Sequence, residues 1–363
     1  MIETGLAVLA ALCLLASLLP LLPFGHGMVR SFDFGRLQAI AISVLVIVGA
    51  ILAGSLTSTL VAAVVMAVVA IAIQLVFVVR FTPLWPVQTV QYAGDSKEAA
   101  TISVLTCNVK QGNRDYQSVI DLVRDTRPDI AVFMEPDRAW AGALQPCLSE
   151  FRHSIEHPQE DSYGIILASR YPLLEHEVRF LLNEEVPSIS CVVRLPGGRD
   201  VRIIALHPEP PLPNRDTLGR DAEILVVAKQ AHTEPLPLIV TGDLNDVAWS
   251  RTTRRFLRIS GLLDPRQGRG MFNSFDARFW FMRWPLDHIF HSRDFELVSI
   301  ERQRFVGSDH FPMFYCLALT EDKTGENRND PPSPPSKEDL AEADEAIQIE
   351  ANRNRPPAGA DWE

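Results

Sequence analysis

The chain has 363 residues, 22% of them charged, and a formal net charge of −11. Residues 101–320 carry 25 Lys and Arg against 29 Asp and Glu, and residues 321–363 carry 5 against 12. Neither stretch has the basic balance of a protein that tracks duplex phosphates, and five cysteines without a CxxC pair read as buried, reduced thiols rather than a disulfide framework.

Taken from the N-terminus, the first runs are apolar. "GLAVLAALCLLASLLPLLPF" (5–24), "LQAIAISVLVIVGAILAGSL" (37–56) and "STLVAAVVMAVVAIAIQLVFVV" (58–79) are each long enough to cross a hydrocarbon core at helical rise. The first is preceded by Glu3 in place of a positive n-region, which argues against a cleaved signal peptide. The reading is a membrane anchor of three transmembrane helices over 1–80, with a polar loop at 25–36, followed by a linker over 81–100. Arg30, Arg36 and Arg80 lie on the side of the large domain, so the positive-inside rule puts that domain in the cytoplasm of a plasma (inner) membrane, on a bias of only three charges.

From residue 101 to 320 strand-like and helical runs alternate. "TISVLTCNV", "DIAVFMEP", "YGIILASRYP", "SISCVVRLP", "VRIIALHPEP", "LPLIVTGDL", "LDHIFHS", "FELVSIERQ" and "FPMFYCLAL" read as strands. "DYQSVIDLVRDTRP", "DTLGRDAEILVVAKQAH" and "RTTRRFLRIS" read as helices. Many strands and few helices predict two packed β-sheets with helices outside. The rest of the chain, 321–363, is acidic and Pro-rich, reads as disordered, and holds at most a short helix over "LAEADEAIQI".

Polar residues collect at the strand ends: Asn108, Glu135, His207, Asp243 and Asn245 close strands, Asp287 and His288 open one, and Ser308, Asp309 and His310 precede the last. Each alone is ordinary turn chemistry. Together they offer hard oxygen ligands and hydrogen-bond donors, the chemistry of Mg²⁺-assisted phosphoryl transfer. In "TGDLND", Asp243 and Asn245 alternate across Leu244, so period two puts both on one face of the strand end.

In this order the segments "LTCNVKQGN", "DIAVFMEPD", "YGIILASRYPL", "IIALHPEPP", "IVTGDLND", "PLDHIFHS" and "GSDHFPM" resemble the endonuclease/exonuclease/phosphatase (DNase I-like) superfamily, from about Ser103 to Leu319. The resemblance implies a four-layered α/β/β/α sandwich behind the three-helix transmembrane anchor. It implies Glu135 as the principal Mg²⁺ ligand, with Mn²⁺ as an alternative ion and Asn108 and Asp309 nearby. It implies His310 as the imidazole at the scissile phosphate, oriented by Asp287, and Asp243 as the group that aligns or deprotonates water. Asn245 and His207 would donate hydrogen bonds to the phosphoryl oxygens. Lys110 departs from the pattern, since many nucleases of the family carry an acid two residues after the first Asn, and a second metal contact is therefore in doubt.

The expected activity is that of a membrane-integral, Mg²⁺-dependent phosphoesterase. Its substrate would be a phosphate ester or pyrophosphate, with a membrane lipid among the candidates. A membrane-anchored nuclease is the alternative, marked by a basic groove around Arg251–Arg258, and a non-catalytic binding protein the third reading.

Overall fold

The computed structural model describes residues 1–22, 24–54, 57–94, 100–320 and 329–359. The chain divides into two compact units. One comprises residues 1–85 with 211–217, the other residues 86–210 with 218–363.

The first unit is helical: α1 (Ile2–Leu18), α2 (Gly27–Phe34), α3 (Arg36–Leu52) and α4 (Ser58–Val78). Two stretches, Ile2–Leu21 and Ser58–Phe81, are long and apolar enough to cross a membrane; a third span results if α2 and α3, bent by 65° at their junction, are counted as one. Small residues let the helices approach closely, with Ala10, Val46, Ala63 and Ala67 buried at their contact. The polar loop expected at 25–36 is largely the helix α2. Its charges are internally matched: Arg36 Nη2 lies 2.5 Å from Asp33, and Arg36 also reaches Gln74 at 2.7 Å, which in turn donates to Ser17 at 3.0 Å. Arg30 lies 3.9 Å from the same Asp33. Two of the three charges behind the sidedness argument are therefore paired. Residues 211–217 join this unit through Gly27 N–H to Arg215 O and Thr217 N–H to Gly25 O, both 2.8 Å.

The second unit is built from β1 (Ala100–Asn108), α5 (Tyr116–Thr126), β2 (Ile130–Met134), α6 (Arg138–Leu148), β3 (His153–His157), β4 (Ile165–Ser169), β5 (Leu173–Phe180), β6 (Pro187–Arg194), β7 (Asp200–Leu206), α7 (Leu218–Thr233), β8 (Leu238–Asp243), α8 (Arg251–Ser260), β9 (Asp287–His291), β10 (Phe295–Arg302), β11 (Met313–Leu319) and α9 (Lys337–Ala351). One sheet runs β10-β11-β1-β2-β4-β3 and the other β5-β6-β7-β8-β9. Alternation along each strand creates three apolar layers. Ile102, Val104, Ile130, Val132, Ile203, Ile239 and Ile289 face each other between the sheets. Leu105, Cys107, Ala131 and Phe133 pack under α5 and α6. Ile204, Leu206, Val240 and Phe290 pack under α7 and α8. This is the four-layered sandwich expected, with α6, β3 and β5 added where the sequence patterning was too weak to read. All five cysteines are free; burial pushes Cys147 and Cys316 up to about 11 and Cys191 to about 12, which makes them poor nucleophiles.

Part of the linker is structured. Thr89 Oγ1 lies 2.9 Å from His291 Nε2 and Tyr92 N–H donates to Leu297 O at 2.8 Å. The tail departs from the expectation of disorder. Residues 321–328 and 360–363 lie outside the described residues, but 337–351 form α9, opened by a capping box between Ser336 and Asp339. The segment has few apolar anchors, and charge supplies the rest. Asp339 pairs with Arg258 at 2.5 and 2.8 Å and with Arg255 at 3.3 Å, and Glu342 pairs with Arg251 at 2.7 Å and with Arg255. Ala343 is fully buried in the layer beneath. Beyond α9, Arg355 bridges Glu209 (2.9 Å) and Glu350 (2.8 Å), and Tyr163 donates its hydroxyl to Ala358 O.

The tail is thus part of the folded domain. Deleting residues 329–363 is expected to lower Tm of the detergent-solubilised chain by roughly 5 °C or more, and Asp339→Ala alone to cost about 1–2 kcal/mol. The hydrogen bond from Arg258 holds the Asp339 carboxyl well below its usual range. Its contribution is therefore complete at neutral pH and fades as pH falls below about 4. Thermal melts of wild type and Asp339→Ala at pH 7 and pH 3 check both the loss and its narrowing.

Candidate active site

The inter-sheet layer ends in polar side chains because the strand alternation continues one residue past the apolar core. Asn108 shares the face of Ile102 and Val104, His207 that of Ile203 and Ala205, Asp243 that of Ile239, and Asp287 that of Ile289. Alternation from inward-facing Met134 would send Glu135 to the helix side. Its backbone instead takes the left-handed conformation, φ 62°, and its carboxylate meets Asn108. Lys110 (φ 57°) and Asn245 (φ 51°) are left-handed too. Such strain in non-glycine residues costs of order 1–3 kcal/mol each and gathers where geometry is functional. Gly242 of "TGDLND" has no substitute, since a Cβ there would lie 1.9 Å from Leu206 O on the neighbouring strand.

The contacts are specific. Asn108 Nδ2 donates to Glu135 Oε1 at 2.7 Å and to Asp243 Oδ2 at 3.1 Å, while its Oδ1 accepts from Lys110 N–H at 2.9 Å. The amide orientation follows from that network, and Asn108 bridges the two carboxylates as a donor. Glu135 Oε2 accepts from Gln111 N–H at 3.2 Å. Asp243 and Asp287 sit directly opposite in the β8–β9 pair, and the His310 ring lies between them: Nδ1 is 2.8 Å from Asp287 Oδ2 and Nε2 is 3.4 Å from Asp243 Oδ2. His207 Nε2 lies 3.8 Å from Asp243 and 4.0 Å from Glu135. Asn245 N–H donates to Asp243 Oδ1 at 2.9 Å, and Asn245 Nδ2 to Pro208 O at 2.9 Å, which ties the His207 loop to β8. Arg220, fully buried, holds Asn245 O at 2.8 Å from behind.

Asp309 acts on Glu135 and His310 through its charge and is itself held by two cations. Lys110 Nζ is 2.7 Å from its Oδ2, and Arg278 is 3.7 Å away. The lysine that replaces the family's acid therefore pairs with the aspartate expected near the metal. His288 turns to the outer face and is held by Asp246 O (2.8 Å) and Arg266 (2.6 Å). Asp246, the second aspartate of "TGDLND", accepts from Thr253 at 3.0 Å and from Ser250, so it fixes the start of α8.

Electrostatics follow from burial. Desolvation raises Glu135 and Asp243 above the ordinary carboxylate range and lowers His207 below the ordinary imidazole value. Burial also opposes charge on His310, but Asp243 and Asp287 outweigh it and push that imidazole up to about 10. Glu135, Asp243, Asp287 and Asp309 face Lys110, His310 and, at 3.7 Å from Asp309, Arg278. Asp287 Oδ1 and His207 Nδ1 are buried without a hydrogen-bond partner among the described residues. A donor set of carboxylate and amide oxygens with an excess of negative charge fits a hard divalent cation. By ligand spacing alone the described residues offer one metal-competent group, Asp243, Asp287 and His310. In that group Asp287 and His310 are hydrogen-bonded to each other at 2.8 Å, whereas Glu135 accepts from the Asn108 amide and the Gln111 N–H.

With this geometry in hand, the comparisons with known proteins agree on the fold. The profile of the Endonuclease/Exonuclease/phosphatase family matches residues 105–310, more than half of the chain, and the chain belongs to that family, whose members are phosphoester hydrolases that use divalent metals. No curated protein matches it. Among solved structures it is similar to an endonuclease/exonuclease/phosphatase from Beutenbergia cavernae DSM 12333, at 18% identity over 61% of this chain and 72% of that one, TM-score 0.50. It is also similar to D. rerio TDP2 complexed with single strand DNA product, at 15% identity over 60% and 98%, TM-score 0.51.

If His310 and Asp287 act as one unit, His310→Ala and Asp287→Ala each lower the rate on the order of a hundredfold. The double variant then loses little beyond the worse single. Single-turnover rates for the four proteins test this; additive losses would assign the two residues separate roles.

Proposed function

We propose that the chain is a membrane-anchored, divalent-metal-dependent phosphoesterase acting on a phosphate ester or pyrophosphate presented at the bilayer. The observation that carries this reading is the His310 imidazole held between Asp287 and Asp243, beside the Asn108–Glu135 pair. Mg²⁺, with Mn²⁺ as the alternative, would be held by Glu135 with Asn108 and Asp309 nearby, and supplies neutralisation of phosphate charge when bound.

The chain's own residues account for the remaining tasks. His310, cationic at neutral pH because two carboxylates flank it, presents Nε2–H to a phosphoryl oxygen. Asp287 fixes the ring through Nδ1. Asp243, whose Oδ1 is held by Asn245 N–H, takes the proton of the water that attacks phosphorus as the ester bond breaks. His207, kept neutral by burial, and the second hydrogen of Asn245 Nδ2 are available as donors on the other side. Lys110 neutralises Asp309 and argues for a single metal.

The nuclease reading is weaker. TDP2 is a solved relative bound to single-stranded DNA, but here Arg251, Arg255 and Arg258, which would form the basic groove, are engaged by Asp339 and Glu342 of α9. The helices long enough to cross a membrane favour a substrate at the bilayer over a duplex.

The full chain in lipid nanodiscs with Mg²⁺ is to be assayed against phosphomonoesters, phosphodiesters, a polyprenyl pyrophosphate and DNA. Hydrolysis of a non-nucleic substrate that is lost with chelator is expected. Glu135→Gln should lower it on the order of a hundredfold or more without unfolding the protein. DNA as the preferred substrate, or full turnover by Glu135→Gln, would overturn the reading.

A further inference from the structure

Between α8 and β9 the chain runs "FDARFWFMRW" (275–284), and four consecutive residues are exposed: Phe279 47%, Trp280 82%, Phe281 54% and Met282 41%. Among the other described residues of the second unit, the large apolar side chains that reach solvent do so singly: Val87, Leu174, Phe180, Phe305, Leu340 and Ile349. Scattered exposure of that kind is normal, whereas a contiguous aromatic cluster marks an interaction surface.

The cluster is presented by a fixed frame. Phe275 and Trp284 pair across a hairpin, with Phe275 N–H to Trp284 O at 3.0 Å, and Asp276 N–H closes on Met282 O at 3.0 Å. Asp276 accepts from two of the three guanidinium nitrogens of Arg278, Nε at 2.9 Å and Nη2 at 2.5 Å. Ala277 N–H donates to Asp309 O at 2.7 Å, Phe311 N–H to Ser274 O at 2.8 Å, and the Phe275 ring lies 4.8 Å from the His310 ring. The hairpin is thus built onto the Ser308–Asp309–His310 segment. Arg283 lies over the Phe311 ring at 5.0 Å, Arg302 over the same ring at 4.7 Å, and Phe311 contacts exposed Phe305 at 6.3 Å. Aromatic side chains and a methionine at the tip, with Arg278 and Arg283 at the base, therefore stand beside the catalytic cluster.

We infer that residues 279–282 insert into the headgroup–acyl boundary of a lipid bilayer and hold the active site against the membrane surface. This rests on the reading of the chain as bilayer-anchored. Trp and Phe with adjacent Arg is the composition that partitions to that boundary. The arginines lie at the base of the tip, level with lipid phosphates when the aromatics are buried, in a domain that is otherwise net acidic. The occupant is a membrane because the same chain carries two or three segments fit to cross one, so a bilayer is always within tether length. Insertion would favour phosphate esters whose apolar part stays in the lipid.

The test uses the full chain in nanodiscs made with brominated or unbrominated acyl chains. Bromine is expected to quench wild-type tryptophan emission by more than it quenches Trp280→Phe, the difference being the Trp280 signal. A Trp280→Ala/Phe281→Ala double variant should turn over a bilayer-embedded phosphate ester about tenfold or more slowly, as expected from the lost aromatic burial, while hydrolysing a water-soluble aryl phosphate ester at the wild-type rate. Equal quenching in the two proteins overturns the inference. So does Trp280 emission that responds to single-stranded DNA or to self-association in place of lipid, or an equal loss on both substrates. Absence of activity on every substrate would refute the proposed function and leave the quenching result to decide the surface.

Discussion

Four carboxylates brought to one end of a packed β-sandwich are the constraint around which the second unit is organised. Asp243 and Asp287 face each other across an antiparallel pair, where like charges destabilise, and both are buried, where an uncompensated charge costs several kcal/mol. The fold answers with position. A single imidazole is placed between them, one amide spans Glu135 and Asp243, and left-handed backbone at Glu135 turns a side chain that alternation would have sent to the helix side. The apolar layer between the sheets supports this arrangement, because Asn108, His207, Asp243 and Asp287 end inward-facing rows that contain the packed Ile102, Val104, Ile203, Ile239 and Ile289. Preorganised dipoles and charges of that kind cost no reorganisation when substrate charge develops.

How much of this the sequence discloses depends on the range of the interaction. Strand periodicity and turn chemistry are local, so the two sheets, the helices over 116–126 and 251–260, and the polar strand ends are legible from residue types alone. The order of the polar segments adds the family. What is not legible is pairing between distant residues. Lys110 with Asp309, separated by 199 positions, reverses the meaning of a residue that reads as a missing ligand. Asn108 reads as a ligand and stands in the structure as a donor between carboxylates, a distinction of amide orientation that no spacing encodes. The second aspartate of "TGDLND" looks equivalent to the first, yet the strand end sends it to the α8 cap. The exposed "FWFM" did carry a local signal, an apolar run of four closed by arginines in a region without helical or strand periodicity.

The tail shows the same limit from the opposite side. A Pro-rich acidic segment of low hydrophobicity reads as unable to bury enough surface to fold. It folds where its carboxylates find a ready-made row of arginines on α8, a run that by itself reads as a helix with a basic face. Each half is ambiguous alone, and the two resolve each other. The pairing also neutralises Arg251, Arg255 and Arg258, the row of positive charge on α8.

Residues 211–217 belong to the helical unit although the chain on both sides of them belongs to the sandwich. The peptide therefore crosses between the units three times, and the catalytic half is not a bead that a single cut at residue 85 would release intact. A gene encoding only the sandwich would still contain this segment, stripped of the Gly25 and Gly27 backbone groups it bonds to. Modular exchange of the anchor, by recombination or by design, would have to replace Pro211–Thr217 together with it.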